Sequence, residues 1–263
     1  MGWQWGGGWL AALGFSDFAG STLVHSTGGA AALAGAMLLG ARTGRFDKSG
    51  AAKPMRPFAA SSIPLVTVGV FILWLGWFGF NGGSQLAMGS FYDAVAVSNI
   101  FINTNLAACG GVLAAAVITR LLAGKTDVVQ MLNGAIGGLV AITAEPLAPA
   151  PIAAIFIGAI GGLIVVFGTK LLFSFKIDDV VGAIPAHLFA GIWGTLAVPL
   201  TNSDASFSAQ LIGVISINAF VFVVSYIVWA IMKNTMGIRL SKDAELKGTD
   251  VSETGVIAYA IRD

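Results

Sequence analysis

Asp17–Leu39, DFAGSTLVHSTGGAAALAGAMLL, is the stretch on which the reading of this chain turns. It is long enough to cross a bilayer, since a span needs about 20 mostly apolar residues. No charge follows Asp17 within it, and one ionisable group, His25, sits inside. Gly20, Ser21, Thr22, Gly28, Gly29 and a run of alanines make up much of the rest. Small residues of this kind let helices approach closely in lipid. A histidine inside such a span is a functional candidate once a partner is named. The chain has two histidines in all, and the other, His187, lies in an echo of the first stretch. Asp17 is followed by Gly20 and His25; Asp179 is followed by Gly182 and His187 at the same offsets. The plain alternative makes each histidine a buried polar residue bonded to a backbone carbonyl.

Working outward, the composition sets the class. The 263 residues are 56% hydrophobic and 10% charged, where a soluble domain carries about 25% charged residues. An all-α, polytopic membrane protein follows, nearly all of it in the bilayer. The net charge of +1 names no partner, and nothing points to nucleic acid. The single cysteine, Cys109, lies in an apolar stretch and reads as a small packing residue. MGWQWGGGW, at residues 1–9, has no basic region and does not read as a secretory signal. No nucleophile–base pair or metal-ligand spacing appears, so the chain reads as no enzyme, with no cofactor and no metal.

About seven spans are expected: 17–39, 58–83, 96–119, 131–145, 152–172, 180–200 and 208–232. Pro146, Pro149 and Pro151 end the short fourth one. All 14 Lys and Arg fall on alternate loops. Arg42, Arg45, Lys48, Lys53 and Arg56 follow the first span; Arg120 and Lys125 follow the third. Lys170 and Lys176 close the fifth, and Lys233, Arg239, Lys242, Lys247 and Arg262 occupy the tail. Cytoplasmic loops attract Lys and Arg. The expected topology therefore has residues 1–16 outside, a transmembrane region over 17–234 and a cytoplasmic tail over 235–263. In that frame the two Asp–Gly–His helices enter from opposite faces, an inverted-repeat relation. Eight residues rise about 12 Å, so both imidazoles come to lie deep in the hydrocarbon layer.

Several motifs then resemble one family, the ammonium transporters of the Amt/Mep/Rh superfamily, on the Amt side. They are WGGG at 5–8, DFAGSTLVH at 17–25, LWLGWFGFNGGS at 73–84 and NTNLAA at 103–108. GAIGGLVAIT at 134–143, DD at 178–179, AGIWG at 190–194, GIRLS at 237–241 and GTDVSE at 248–253 extend the likeness along the whole chain. The resemblance implies a partial form of an eleven-helix inverted-repeat fold. It starts just before the fifth family helix, and the first four family spans have no counterpart in the sequence.

The resemblance also implies roles. Trp5 and Ser84 resemble an outer site that recruits the ammonium cation, through a π face and a hydroxyl acceptor. Phe80 resembles the lower of two stacked phenylalanines that gate the pore. His25 and His187 resemble twin histidines lining it, and Asp17 resembles an aspartate that organises backbone near the outer site. A bare cation is costly in a low-dielectric pore and neutral ammonia is not, so deprotonation before conduction is implied. So are a multi-pass place in the plasma or inner membrane, a homotrimer when complete, and a PII-type signalling protein as a cytoplasmic partner. Two departures stand out: Pro185 lies two residues before His187, with Leu188 and Phe189 following where many relatives carry glycine, and Thr254–Val256 stands where family members often show His-Gly-Glu in the tail. Two rival readings are an intramembrane haem protein with His25 and His187 as axial ligands, and a non-transporting ammonium sensor. Trp74 and Trp77 read as packing or belt residues. The loop at 41–57 reads as solvated near anionic lipid, and Glu145 as an outer-interface residue.

Overall fold

The fold is that of a computed structural model, which describes residues 1–46 and 58–258. Lys48, Lys53, Arg56 and Arg262 lie outside the described residues. No β-strand occurs among those described. A short helix α1, Trp9–Ala12, precedes the first span, which joins a π-helical turn, Ser21–Ser26, to helix α2, Thr27–Leu39. Then come α3 (Ile63–Gly83), α4 (Phe91–Ala123), α5 (Val128–Ile142) and α6 (Pro151–Ser174). The next segment has three parts: a second π-helical turn, Ile184–Phe189, helix α7 (Ala190–Ala197) and a 3₁₀ turn, Val198–Leu200. α8 (Phe207–Thr235), α9 (Lys242–Lys247) and a last π-helical turn, Asp250–Thr254, complete the described order.

Five of these segments are long and apolar enough to cross a membrane, and two are shorter. α5, with 15 residues, rises about 22 Å, less than the ~30 Å hydrocarbon layer. The expected spans thus recur with shifted ends, as local chemistry dictates. Ser90 and Asp93 form a capping box that starts α4 five residues before the expected 96. Asp127 caps α5 by accepting from the Gln130 N–H, and Pro151 opens α6.

α4, α5 and α6 pack backbone to backbone. A Cβ on Gly138 or on Gly158 would collide with the Ala107 carbonyl from two sides. Close approach of this kind is how helices gain contact where lipid offers no hydrophobic drive. α3 is different: Phe71, Ile72 and Leu75 stand exposed along it. Across this bundle Leu139, Val140, Ala108, Ala190 and Trp77 share one buried cluster.

The basic end is tied together more firmly than a solvated loop would be. Arg42 donates from Nε and a terminal nitrogen to the two oxygens of Asp178, at 2.7 and 2.8 Å. Arg45, 3% exposed, donates to Asp178 at 3.3 Å and lies 4.5 Å over the Phe173 ring. The described part of the 41–57 loop is therefore a docked ion cluster and corrects the expectation of a solvated one. The tail reaches the same end: Lys233 and Arg239 donate to the Leu38 and Leu39 carbonyls, and Glu245 accepts from Thr43 and Arg239. Cations there satisfy the open carbonyls of a helix C-terminus.

Burial alone would raise the Asp178 pKa; the Arg42 hydrogen bonds, with the Arg42 and Arg45 charges, outweigh it and hold the carboxyl below its usual 3.8. A group with a lowered folded pKa adds stability above its unfolded value and loses it as pH falls through the folded one. Melting followed by circular dichroism is expected to show an acid loss below about pH 4 that Asp178→Asn flattens. The substitution is also expected to destabilise the chain at neutral pH by about 3 kcal/mol, as breaking a buried pair does.

Candidate functional site

The two Asp–Gly–His segments build matching devices. The Asp17 carboxylate is fully buried and accepts four backbone N–H groups, from Gly20, Ser21, Thr22 and Leu23, at 2.8–3.0 Å. Asp179, partly exposed, accepts from Val181, Gly182, Ala183 and Ile184 at 2.7–3.3 Å. Each carboxylate thus fills the open donors of a helix start, where the macrodipole also favours an anion. Gly20 and Gly182 take positive φ, +115° and +77°, which turns the chain back over the carboxylate. Each cap opens onto a π-helical turn, and each turn carries the histidine. π-helical geometry is rare and collects at functional sites.

The turns meet head to tail. Thr22, early in the first segment, shares a 2.6 Å hydrogen bond with Thr195, late in the second. Between them the His25 and His187 Nδ1 atoms lie 3.3 Å apart, with ring centroids at 5.3 Å. For that contact to be a hydrogen bond, one Nδ1 carries the proton and the other offers a lone pair. The Nε2 atoms then take opposite roles: the donor ring keeps a lone pair at Nε2, and the acceptor ring keeps an N–H. The His25 Nε2 is buried without a protein partner among the described residues. A cavity of 220 Å³ borders both rings, lined also by Val24, Gly28, Ala32 and Ala183. A second, of 860 Å³, reaches from Asp127 and Asp179 at the basic end up to His187.

His25 is boxed by aromatics. The Trp77 indole stacks on it at 4.8 Å and 18°, and Phe80 approaches at 5.2 Å. Neither contact with His25 was visible as such in the sequence. The reading of Trp77 as a packing residue is incomplete, because its ring face belongs to the histidine. The one available signal was spacing: Trp77 and Phe80 stand three apart on α3, on one helix face. Trp74 does pack, against the core cluster and Phe71.

Residues 1–259 match the profile described as Ammonium Transporter Family. The chain belongs to that family. An ammonium transporter family protein of Synechocystis, described as a putative ammonium transporter, is 42% identical over 96% of this chain and 57% of its own length. The ammonium transporter Amt2 of Archaeoglobus fulgidus is 40% identical over 98% of the chain and 60% of its own length. Among solved structures, one titled Sensor Amt Protein superposes with a TM-score of 0.87 at 32% identity, over 94% of this chain and 62% of that one. Candida albicans Mep2 superposes at 0.79 and 30% identity, over 92% and 56%. The chain therefore spans about 57–60% of the length of the curated relatives named here, and it has the all-helical, polytopic membrane fold of the Amt and Mep structures.

Trp5 sits with Asp17: its indole N–H donates to the Asp17 carbonyl at 2.9 Å, and its ring lies over Gly20. Ser84 follows the last turn of α3, where its hydroxyl donates to the Phe80 carbonyl at 2.8 Å. Pro185 lies inside the second π-helical turn, near its start. Leu188 and Phe189 are accommodated by glycines on facing helices: Leu188 against Gly29 of α2 and Phe189 against Gly168 of α6. Glu145 is buried, not displayed, and accepts from the Ala148 N–H and the Asn202 amide.

Proposed function

We propose that the chain forms the histidine-bearing part of an ammonium transporter. Ammonium is recruited at Trp5 and Ser84, gives up a proton that the histidine pair relays, and passes as ammonia by Phe80, the gate, and along His25 and His187. The observation carrying this reading is the 3.3 Å Nδ1···Nδ1 pair, with the buried His25 Nε2 lacking a protein partner among the described residues. One shared proton leaves a donor and an acceptor for a molecule that, like ammonia, both accepts and donates. Cation passage is disfavoured in such a buried, mostly apolar site. The family reading extends to a lipid-embedded homotrimer, residues 1–16 outside, the tail over 235–263 cytoplasmic, and a PII-type signalling protein as its partner.

The haem alternative conflicts with the geometry. Two imidazoles ligating one metal stand roughly 4 Å apart, at about 2.0 Å per bond, with the macrocycle between the rings. Here the Nδ1 atoms are in hydrogen-bond contact. The sensor alternative keeps one point in its favour, the likeness to a structure titled Sensor Amt Protein.

The test is uptake of isotopically labelled ammonium into proteoliposomes. Gradient-driven uptake above empty vesicles, unaccompanied by potassium flux, is expected. Ammonium binding without uptake would turn the reading to a sensor. For sidedness, an epitope at the N-terminus or after Ser203 is expected to be reached from outside, and one after Lys242 is not.

A further inference from the structure

Thr143 stands at the meeting point of three elements. It caps the C-terminus of α5 and is completely buried. Its carbonyl accepts the Ala19 N–H at 3.0 Å, which fixes the loop leading from Asp17 into the first π-helical turn. Its hydroxyl accepts the Trp77 indole N–H at 2.8 Å and donates to the Leu139 carbonyl at 2.7 Å. The hydroxyl proton is thereby committed to Leu139, so the oxygen faces Trp77 as an acceptor. Trp77 is itself 6% exposed, and its ring is the surface on which His25 stacks.

We infer that Thr143 is a positioning residue for the histidine pair, its hydroxyl fixing the Trp77 indole as the wall that sets the plane of His25. A buried indole N–H needs a partner. Without the Thr143 oxygen, the ring must turn to find another or leave its donor unpaired. Turning moves the face against His25, and an unpaired donor removes the bond that holds that face in place; both disturb the setting of the 3.3 Å contact to His187. The inference rests on the transport reading for its importance and on the hydrogen bonds for its content.

The presence of only two histidines makes it testable without transport. Isotope-labelled histidine, introduced into the chain purified in nanodiscs without a histidine tag, gives two imidazole spectra. Ring current from Trp77 shifts the His25 ring protons upfield in the unaltered chain, and the Trp77→Phe substitution assigns them. Thr143→Val keeps the shape and loses the hydroxyl; it is expected to move the His25 signals away from their upfield position. Thr143→Ser is expected to restore them. Adding Thr143→Val to Trp77→Phe is expected to move them no further. Should Thr143→Val fail to fold, Thr143→Ala, which keeps the Ala19 bond, replaces it in the same comparison. Unmoved His25 signals in the folded valine or alanine variant overturn the inference. So does a further shift in the double variant, which would place the effect in the backbone contact to Ala19. A chain with no ammonium uptake overturns the transport reading and leaves these spectra to decide the positioning role.

Discussion

Alanine at His25 or at His187 is expected to abolish selective ammonium transport in proteoliposomes, and the double variant is expected to be little worse than either single one. The two rings share one contact at 3.3 Å in a buried site. Removing one leaves the other's Nδ1 without its partner, at about 1–3 kcal/mol, and removes half of the donor–acceptor pair offered to ammonia. Residues that work as one unit lose their function once, so the effects do not add. The measurement is initial uptake rate with potassium flux recorded in parallel. Unchanged rate and selectivity in both single variants would sink the histidine-pore reading, whatever the fold.

Asp17→Ala is expected to have the largest effect on stability. Four buried N–H groups lose their only side-chain acceptor at once. At about 1–3 kcal/mol per orphaned group, the sum rivals the whole stability of an ordinary protein, about 5–15 kcal/mol. Loss of monodisperse protein from detergent is the expected result, with Asp17→Asn in between because it keeps one oxygen acceptor. Asp179→Ala removes the same number of bonds from a more exposed site, where water replaces them, so it is expected to be the milder change. Equal melting temperatures for the two alanine variants would show that burial does not separate the caps.

The sequence made the frame legible because its signals were local or binary. Two histidines at matched offsets from two aspartates, and basic residues on alternate loops, need no knowledge of distant packing. Some span ends moved where a cap intervened, as at Ser90, and others moved without one, as at Thr235. What stayed hidden depended on long-range partners. Arg45 reads as a loop charge until Asp178 and Phe173 arrive from far along the chain. Glu145 reads as a surface charge until Asn202 covers it. The π-helical turns have no sequence signature apart from the cap and glycine that precede them. Trp77 shows the same limit most plainly: nothing in LWLGWFGFNGGS states which of its aromatics will face a histidine 52 residues earlier.

The matched caps carry a further consequence on the proposed reading. Each half-helix starts at its own end of the molecule with a carboxylate over its N-terminus, and the two run in opposite directions to a shared contact. Their dipoles therefore oppose one another, and each is partly neutralised by its own aspartate. The two caps are not equivalent, since Asp17 is fully buried and Asp179 is partly exposed. On the proposed reading, the opposed helix dipoles offset each other at the histidine pair, so the dipoles by themselves give little bias between inward and outward passage. Any preference for one direction then comes from what differs between the ends: the burial of the two caps, Trp5 and Ser84 at one end, and the Arg42–Asp178 cluster at the other.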